Sequence, residues 1–341
     1  KFMHTIIELA VKNGIRYIAD NPKRGIRNLL DLGEYFASGG FQKSFFDIVH
    51  EILINEQSFY YDKIEDIVKN TSHDIIANFG INIGYNSFTY GANIIREKEK
   101  ELNYKIPWTI VFDFRKVKEE HLTIDEISNV IEKGKSVGIY CYIILLDYND
   151  ILADLCPIIK NNNDCAFSVV ISPRIITEKL IFSISGITNL CFFIIIDETV
   201  EDELQNSISY LRKEKCLYGG CYYYNNDNFS FITEDEKISK KLLSMNANFV
   251  MMIQKPACSK EIFKNIYDYI YKSRFKTNSP AFIIDLYGDL NRIGNIISEI
   301  PKKSHFISID TIGQISLSNL ENNTKYNIRT SSFEEILNII S

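Results

Sequence analysis

Apolar and polar positions follow two rhythms along the chain. In the first hundred residues apolar positions recur at helical spacing. Ile26, Leu29, Leu30, Leu32 and Phe36 approximate one helical face. Asp20-Asn21-Pro22 precedes them as cap and early-turn proline, and Gly39-Gly40 follows as a stop. Further helices are predicted over 42–54, 60–69 and 94–102. In the last, Arg96, Lys98 and Lys100 alternate with Glu97, Glu99 and Glu101, which reads as a solvated helix face.

From residue 106 the rhythm becomes apolar strand followed by amphipathic helix. Strands are predicted at 108–112, 139–146, 166–171, 190–196, 219–224 and 248–253, and helices near 124–133, 151–159, 175–182, 200–211, 234–243 and 261–271. Six such units imply parallel strands buried on both faces with right-handed crossovers. The expected class is α/β, a partial TIM-like (βα)6 barrel, with an open doubly wound sheet equally compatible with the rhythm. The tail adds a strand at 282–286, a hairpin of 305–310 and 314–317 across Thr311-Ile312-Gly313, and a closing helix at 333–340. This divides the chain into a helical leader (1–105), the barrel (106–275) and a small α+β extension (276–341).

Composition narrows the function classes. A hydrophobic fraction of 45% argues for a folded core. With 38 Lys and Arg against 44 Asp and Glu, the net charge of -6 gives no general positive field for nucleic acid. The apolar run 190–196 is too short to span a bilayer, and no signal-peptide pattern is evident. Seven cysteines, an odd count without a Cys-x-x-Cys pair and absent from the first 140 residues, fit a reducing compartment and a cytoplasmic location.

Candidate chemistry gathers at the strand ends. Asp113, Asp147, Ser172-Pro173-Arg174, Asp197-Glu198 and Gln254-Lys255 would face the mouth of a barrel, where such folds place their sites. Asp113, Asp147 and Asp197 could converge on a hard cation or perform acid/base work, although Asp is also an ordinary strand-end cap. His4, His50, His73, His121 and His305 lack metal-ligand spacing. Cys216 and Cys221 read as packed rather than redox-active. The glycine segments 80–84 and 288–294 lack a P-loop Lys-Ser/Thr and a dinucleotide fingerprint, and read as turns. Tyr222-Tyr223-Tyr224 reads as packing.

Several segments, in order, resemble the radical SAM superfamily, and within it long members with a helical leader and a SPASM-like tail. They are Arg16-Tyr17-Ile18-Ala19-Asp20-Asn21-Pro22 with Leu29-Leu30-Asp31-Leu32, Asn78-Phe79-Gly80-Ile81-Asn82, Ile106-Pro107-Trp108-Thr109-Ile110 and Gly134-Lys135-Ser136-Val137-Gly138-Ile139-Tyr140. Near the end come Phe306-Ile307-Ser308-Ile309-Asp310-Thr311-Ile312-Gly313-Gln314, Tyr326-Asn327-Ile328-Arg329 and Ser332-Phe333-Glu334-Glu335-Ile336-Leu337. The resemblance implies a Cys-x-x-x-Cys-x-x-Cys loop after the first strand, holding a [4Fe-4S] cluster that binds S-adenosylmethionine. Here Asp113 is followed by Phe114-Arg115-Lys116-Val117-Lys118, without cysteine. The Gly-Gly-Glu-Pro turn after strand two is replaced around Leu145-Leu146-Asp147-Tyr148, and Ser316-Leu317-Ser318 lacks the tail cysteine.

These departures argue against conventional radical SAM catalysis, since fold alone does not restore lost cofactor ligands. The expectation is a degenerate, non-catalytic barrel that binds or regulates a partner: a related active enzyme, a peptide or a lipid-like ligand, at its mouth or its leader. No cofactor is expected. Two alternatives stay open: metal-dependent or acid/base chemistry on the mouth carboxylates, and SAM binding without radical chemistry.

Overall fold

The computed structural model describes residues 2–36, 40–234, 237–276, 281–298, 300–317 and 323–340. The leader is helical throughout: α1 (Phe2–Asp20), α2 (Pro22–Phe36), α3 (Gly40–Leu53), α4 (Phe59–Asn70) and α5 (His73–Ile81). Helix α2 begins at the proline that sequence places in its first turn. A π-helical segment, Asn82–Gly91, then joins α5 to α6 (Ala92–Leu102) without leaving helical backbone. The leader has its own core, with Ile15, Ile18, Ile26, Tyr61 and Ala77 buried together.

Strands and helices then alternate: β1 (Thr109–Asp113), α7 (Ile124–Ser136), β2 (Cys141–Asp147), α8 (Leu152–Asn161), β3 (Ala166–Ile171), α9 (Glu178–Ser183), β4 (Leu190–Ile195), α10 (Glu201–Lys213) and β5 (Leu217–Tyr224). The short α11 (Ser230–Thr233) and α12 (Lys237–Ser244) lead to β6 (Phe249–Gln254), α13 (Lys260–Ser273), β7 (Phe282–Asp285) and α14 (Leu286–Ile297). Last come β8 (Phe306–Asp310), β9 (Gln314–Ser316), β10 (Asn323–Asn327) and α15 (Phe333–Asn338).

One sheet runs β10-β9-β8-β1-β2-β3-β4-β5-β6-β7. Strands β1 to β8 are parallel, and β8 to β10 form an antiparallel meander. This is the expected partial-barrel architecture. It extends further than the six predicted strands, because β8 pairs along one edge with β1 while its other edge makes the predicted hairpin with β9. Strands β7 and β8 do not pair, and α14, which connects them, packs across that open seam. The Trp108 indole donates to the Leu290 carbonyl at 2.9 Å, and the Tyr287 ring lies 5.6 Å from that of Phe306.

The leader closes the N-terminal ends of the strands. Asn78, Asn82 and Asn86, one helical turn apart, donate to Asn163, Cys165 and Asp164 at the start of β3, at 2.7–2.9 Å. Of the charged run on α6, Glu99 departs from the solvated face: it is buried, accepts from the Ile106 N–H at 2.9 Å and pairs with buried Lys302. Both glycine segments read as turns are helical instead. Gly288 and Gly294 lie within α14, where a Cβ would strike Tyr267 and His305, so glycine there permits close helix packing. Gly80 lies in the last turn of α5 and Gly84 in the π-helical segment.

Candidate functional site at the barrel mouth

Strand β1 ends at Asp113, and the chain leaves it locked to its neighbour. The Phe114 N–H donates to the Leu145 carbonyl at 2.9 Å, and the Phe114 carbonyl accepts from Asn149 Nδ2 at 2.8 Å. That anchoring turns Arg115 back over its own strand end. Its Nε donates to Asp113 Oδ1 at 2.7 Å and Nη2 to Oδ2 at 2.6 Å, a two-pronged charged pair. Burial opposes the Arg115 charge, but the bonds and charge of Asp113 outweigh it and raise its pKa.

Asp147 ends β2 in the left-handed region, with φ of +49°, which Asp tolerates better than most residues. The register with β3 shifts here, Asp147 standing opposite Ile171, and this irregularity re-aims the side chain. Its Oδ1 accepts from the Tyr223 hydroxyl of β5 at 2.6 Å. Burial raises the Asp147 pKa, an effect that Tyr223 and Arg115 only partly offset. The Arg115 guanidinium also lies 5.9 Å from the centre of the Tyr223 ring. Tyr287 of α14, buried, completes the lining within electrostatic reach of Arg115, Asp113 and Asp147.

The mouth is thus built from Asp113, Arg115, Asp147, Tyr223 and Tyr287. Asp113 and Asp147 were legible as strand-end acids; Arg115, Tyr223 and Tyr287 were not, since only tertiary folding brings them together. Asp197 stands apart as a cap: its Oδ1 accepts from the Thr199 N–H at 2.9 Å, and its Oδ2 from Tyr148 at 3.4 Å. The Asp113–Asp147–Asp197 cation site is therefore not assembled. Ser172 caps the turn Pro173–Ile175, Arg174 pairs with Glu203 at 3.6 Å, and Lys255 is exposed. The side chain of Glu198, like residue Ser318 of the tail, lies outside the described residues.

Among the described residues no group of three His, Cys, Asp or Glu side chains could hold a metal ion. All seven cysteines are unpaired and buried. Burial pushes their thiols up, Cys156 to about 11 and Cys141 and Cys216 to about 12, so they rest as protonated thiols. Where three thiolates would have to follow β1 stand Phe114 and the Arg115–Asp113 fork. These residues do not fit a [4Fe-4S] cluster.

No family model matches the chain, and no curated protein matches it. Among solved structures, Streptococcus suis SuiB bound to precursor peptide SuiA is similar, with a TM-score of 0.51 and 10% identity over 71% of this chain and 67% of that one. SuiB bound to S-adenosylmethionine gives 0.49 at 11% identity over 71% and 66%, and a further SuiB structure 0.49 at 10% over 80% and 81%. On the strength of the first likeness, the chain shares the fold of SuiB over 71% of its length, and its described residues contain no group of side chains that could hold a metal ion.

Proposed function

We propose that the protein is a non-catalytic radical-SAM-like binding protein, whose barrel mouth has been converted from cofactor chemistry to the recognition of a peptide partner. The Arg115–Asp113 fork carries this reading, because it fills the segment after β1 with a satisfied ion pair instead of cluster ligands. The fold likeness to SuiB bound to a precursor peptide supports a peptide as the ligand class. The seven buried, unpaired thiols support a reducing, cytoplasmic setting. Incubation of the purified chain with S-adenosylmethionine and dithionite under anaerobic conditions tests it: no reductive cleavage above the protein-free control is expected, and catalytic turnover would overturn the assignment.

A second reading, acid/base chemistry without SAM, is favoured by Asp147, which burial holds toward its protonated form beside Tyr223. It requires turnover of a copurifying ligand that is lost in Asp147→Asn with the fold intact.

A further inference from the structure

Away from the mouth, the leader contains a cavity of about 280 Å³ between α1, α2, α3 and the α5–π-helical rod. One wall is the stripe Ile7, Val11 and Ile15 of α1, at successive turns. Leu32 and Phe46 contribute from α2 and α3, and among the described residues no charged side chain lines the space. The Thr89 hydroxyl at its edge already bonds to the Gly84 carbonyl at 3.3 Å.

The opposite wall is built on Gly80 and Gly84, one turn apart on the rod. Glycine is a poor helix former, and neither residue has a positive φ that would call for it. A Cβ at either position would meet no atom within 4 Å. By contrast, a Cβ at Gly91 of the same rod would strike the Gly138 carbonyl oxygen. Close packing therefore explains Gly91, whereas Gly80 and Gly84, both exposed, leave the rod's wall of the trough without side chains.

The lining residues of the rod run from Ile76 to Thr89, somewhat less than the roughly 20 Å an α-helix of that length would span, because the stretch from Asn82 on is π-helical. The volume exceeds the roughly 150 Å³ of a dry apolar cavity that accepts benzene, yet it is drawn out along that length. A narrow, uncharged trough matches a flexible chain better than a fused ring system. We propose that the leader binds one unbranched aliphatic chain, an acyl or alkyl tail, in this trough. The proposal is independent of the mouth.

Titration of the whole protein with 11-(dansylamino)undecanoic acid, whose fluorescence rises in apolar surroundings, tests it, with 1-dodecanol and dodecanoate as competitors. Saturable one-site binding is expected, displaced by both competitors, since the recognised part is the tail. Gly80→Leu and Gly84→Leu should each weaken binding by about tenfold or more by filling the trough. Circular dichroism and thermal midpoints of these variants should be unchanged or raised, because leucine is the better helix former. Tyr223→Phe at the mouth should leave the affinity unaltered. Absence of saturable binding, or binding unaffected in both folded leucine variants, would overturn the proposal. So would displacement by an apolar peptide but by neither aliphatic competitor.

Discussion

Tyr223 donates its hydroxyl to Asp147 Oδ1 at 2.6 Å although the two residues sit on β5 and β2, three strands apart. On a flat sheet three strand spacings amount to about 14 Å. The bond therefore crosses the interior of a curled sheet, and ties its two halves together at the mouth.

Removing that bond should register in stability. In Tyr223→Phe the half-buried Asp147 loses its donor, and a loss of about 1–3 kcal/mol is expected. Urea unfolding at pH 7 measures it, and the deficit should shrink as the pH falls, because a protonated Asp147 no longer needs a donor for its charge.

Two buried groups should impose opposite pH dependences. Burial raises the Asp285 carboxyl to about 7, against hydrogen bonds from Tyr224 at 2.7 Å and the Gly288 N–H at 2.8 Å. The folded state holds this proton longer than the unfolded chain, so Asp285 removes stability as pH rises from about 4 to about 7. His305 is pushed down to about 4, first by burial and then by the Lys302 charge. Here the unfolded chain takes the proton more readily, so stability is lost as pH falls through the window from 6.5 to about 4. The wild-type profile should look flatter than either contribution. Urea midpoints between pH 4 and 7 should show Asp285→Asn gaining on wild type as pH rises, by up to a few kcal/mol, and His305→Gln gaining as pH falls.

Glu99 and Lys302 form an ion pair with each side chain only 2% exposed, joining α6 to the segment before β8. Lys302→Met alone should cost about 3–5 kcal/mol by stranding the Glu99 charge. Adding Glu99→Gln should recover a large part of that loss. A double-mutant cycle by chemical denaturation reads the coupling, and additivity of the two single losses would contradict it.

Gly138 holds a φ of +99°, and its Cβ would strike the Gly91 carbonyl oxygen where the π-helical segment meets the approach to β2. Gly138→Ala should destabilise by about 2–4 kcal/mol through combined strain and backbone collision. Gly186→Ala, strained at φ of +77° but without a neighbour within 4 Å, should cost less.

The barrel was legible because parallel strands buried on both faces leave continuous apolar runs, as in Ile139 to Leu146 and Leu190 to Ile196. Local pattern could not reveal β8 as a ninth-hour partner of β1, since that pairing joins residues about two hundred positions apart. Gly80 and Gly84 were misread as a turn because composition does not distinguish a glycine that breaks a helix from one that leaves room beside it. Glu99 was hidden in a run that otherwise faces solvent. At the mouth, Asp113 and Asp147 announced themselves at strand ends, whereas the roles of Arg115 and Tyr223 depend on a fold-back and on sheet curvature. Asp197 has the same local signature but caps a turn.

Under the proposed function, the Arg115–Asp113 pair after β1 stands in place of cluster ligands. Iron content after anaerobic reconstitution with ferrous iron and sulfide, followed by desalting, tests it most directly. Iron far below one atom per chain is expected, with no charge-transfer absorption of a [4Fe-4S] cluster. About four irons per chain, with S-adenosylmethionine cleaved on reduction, would contradict it.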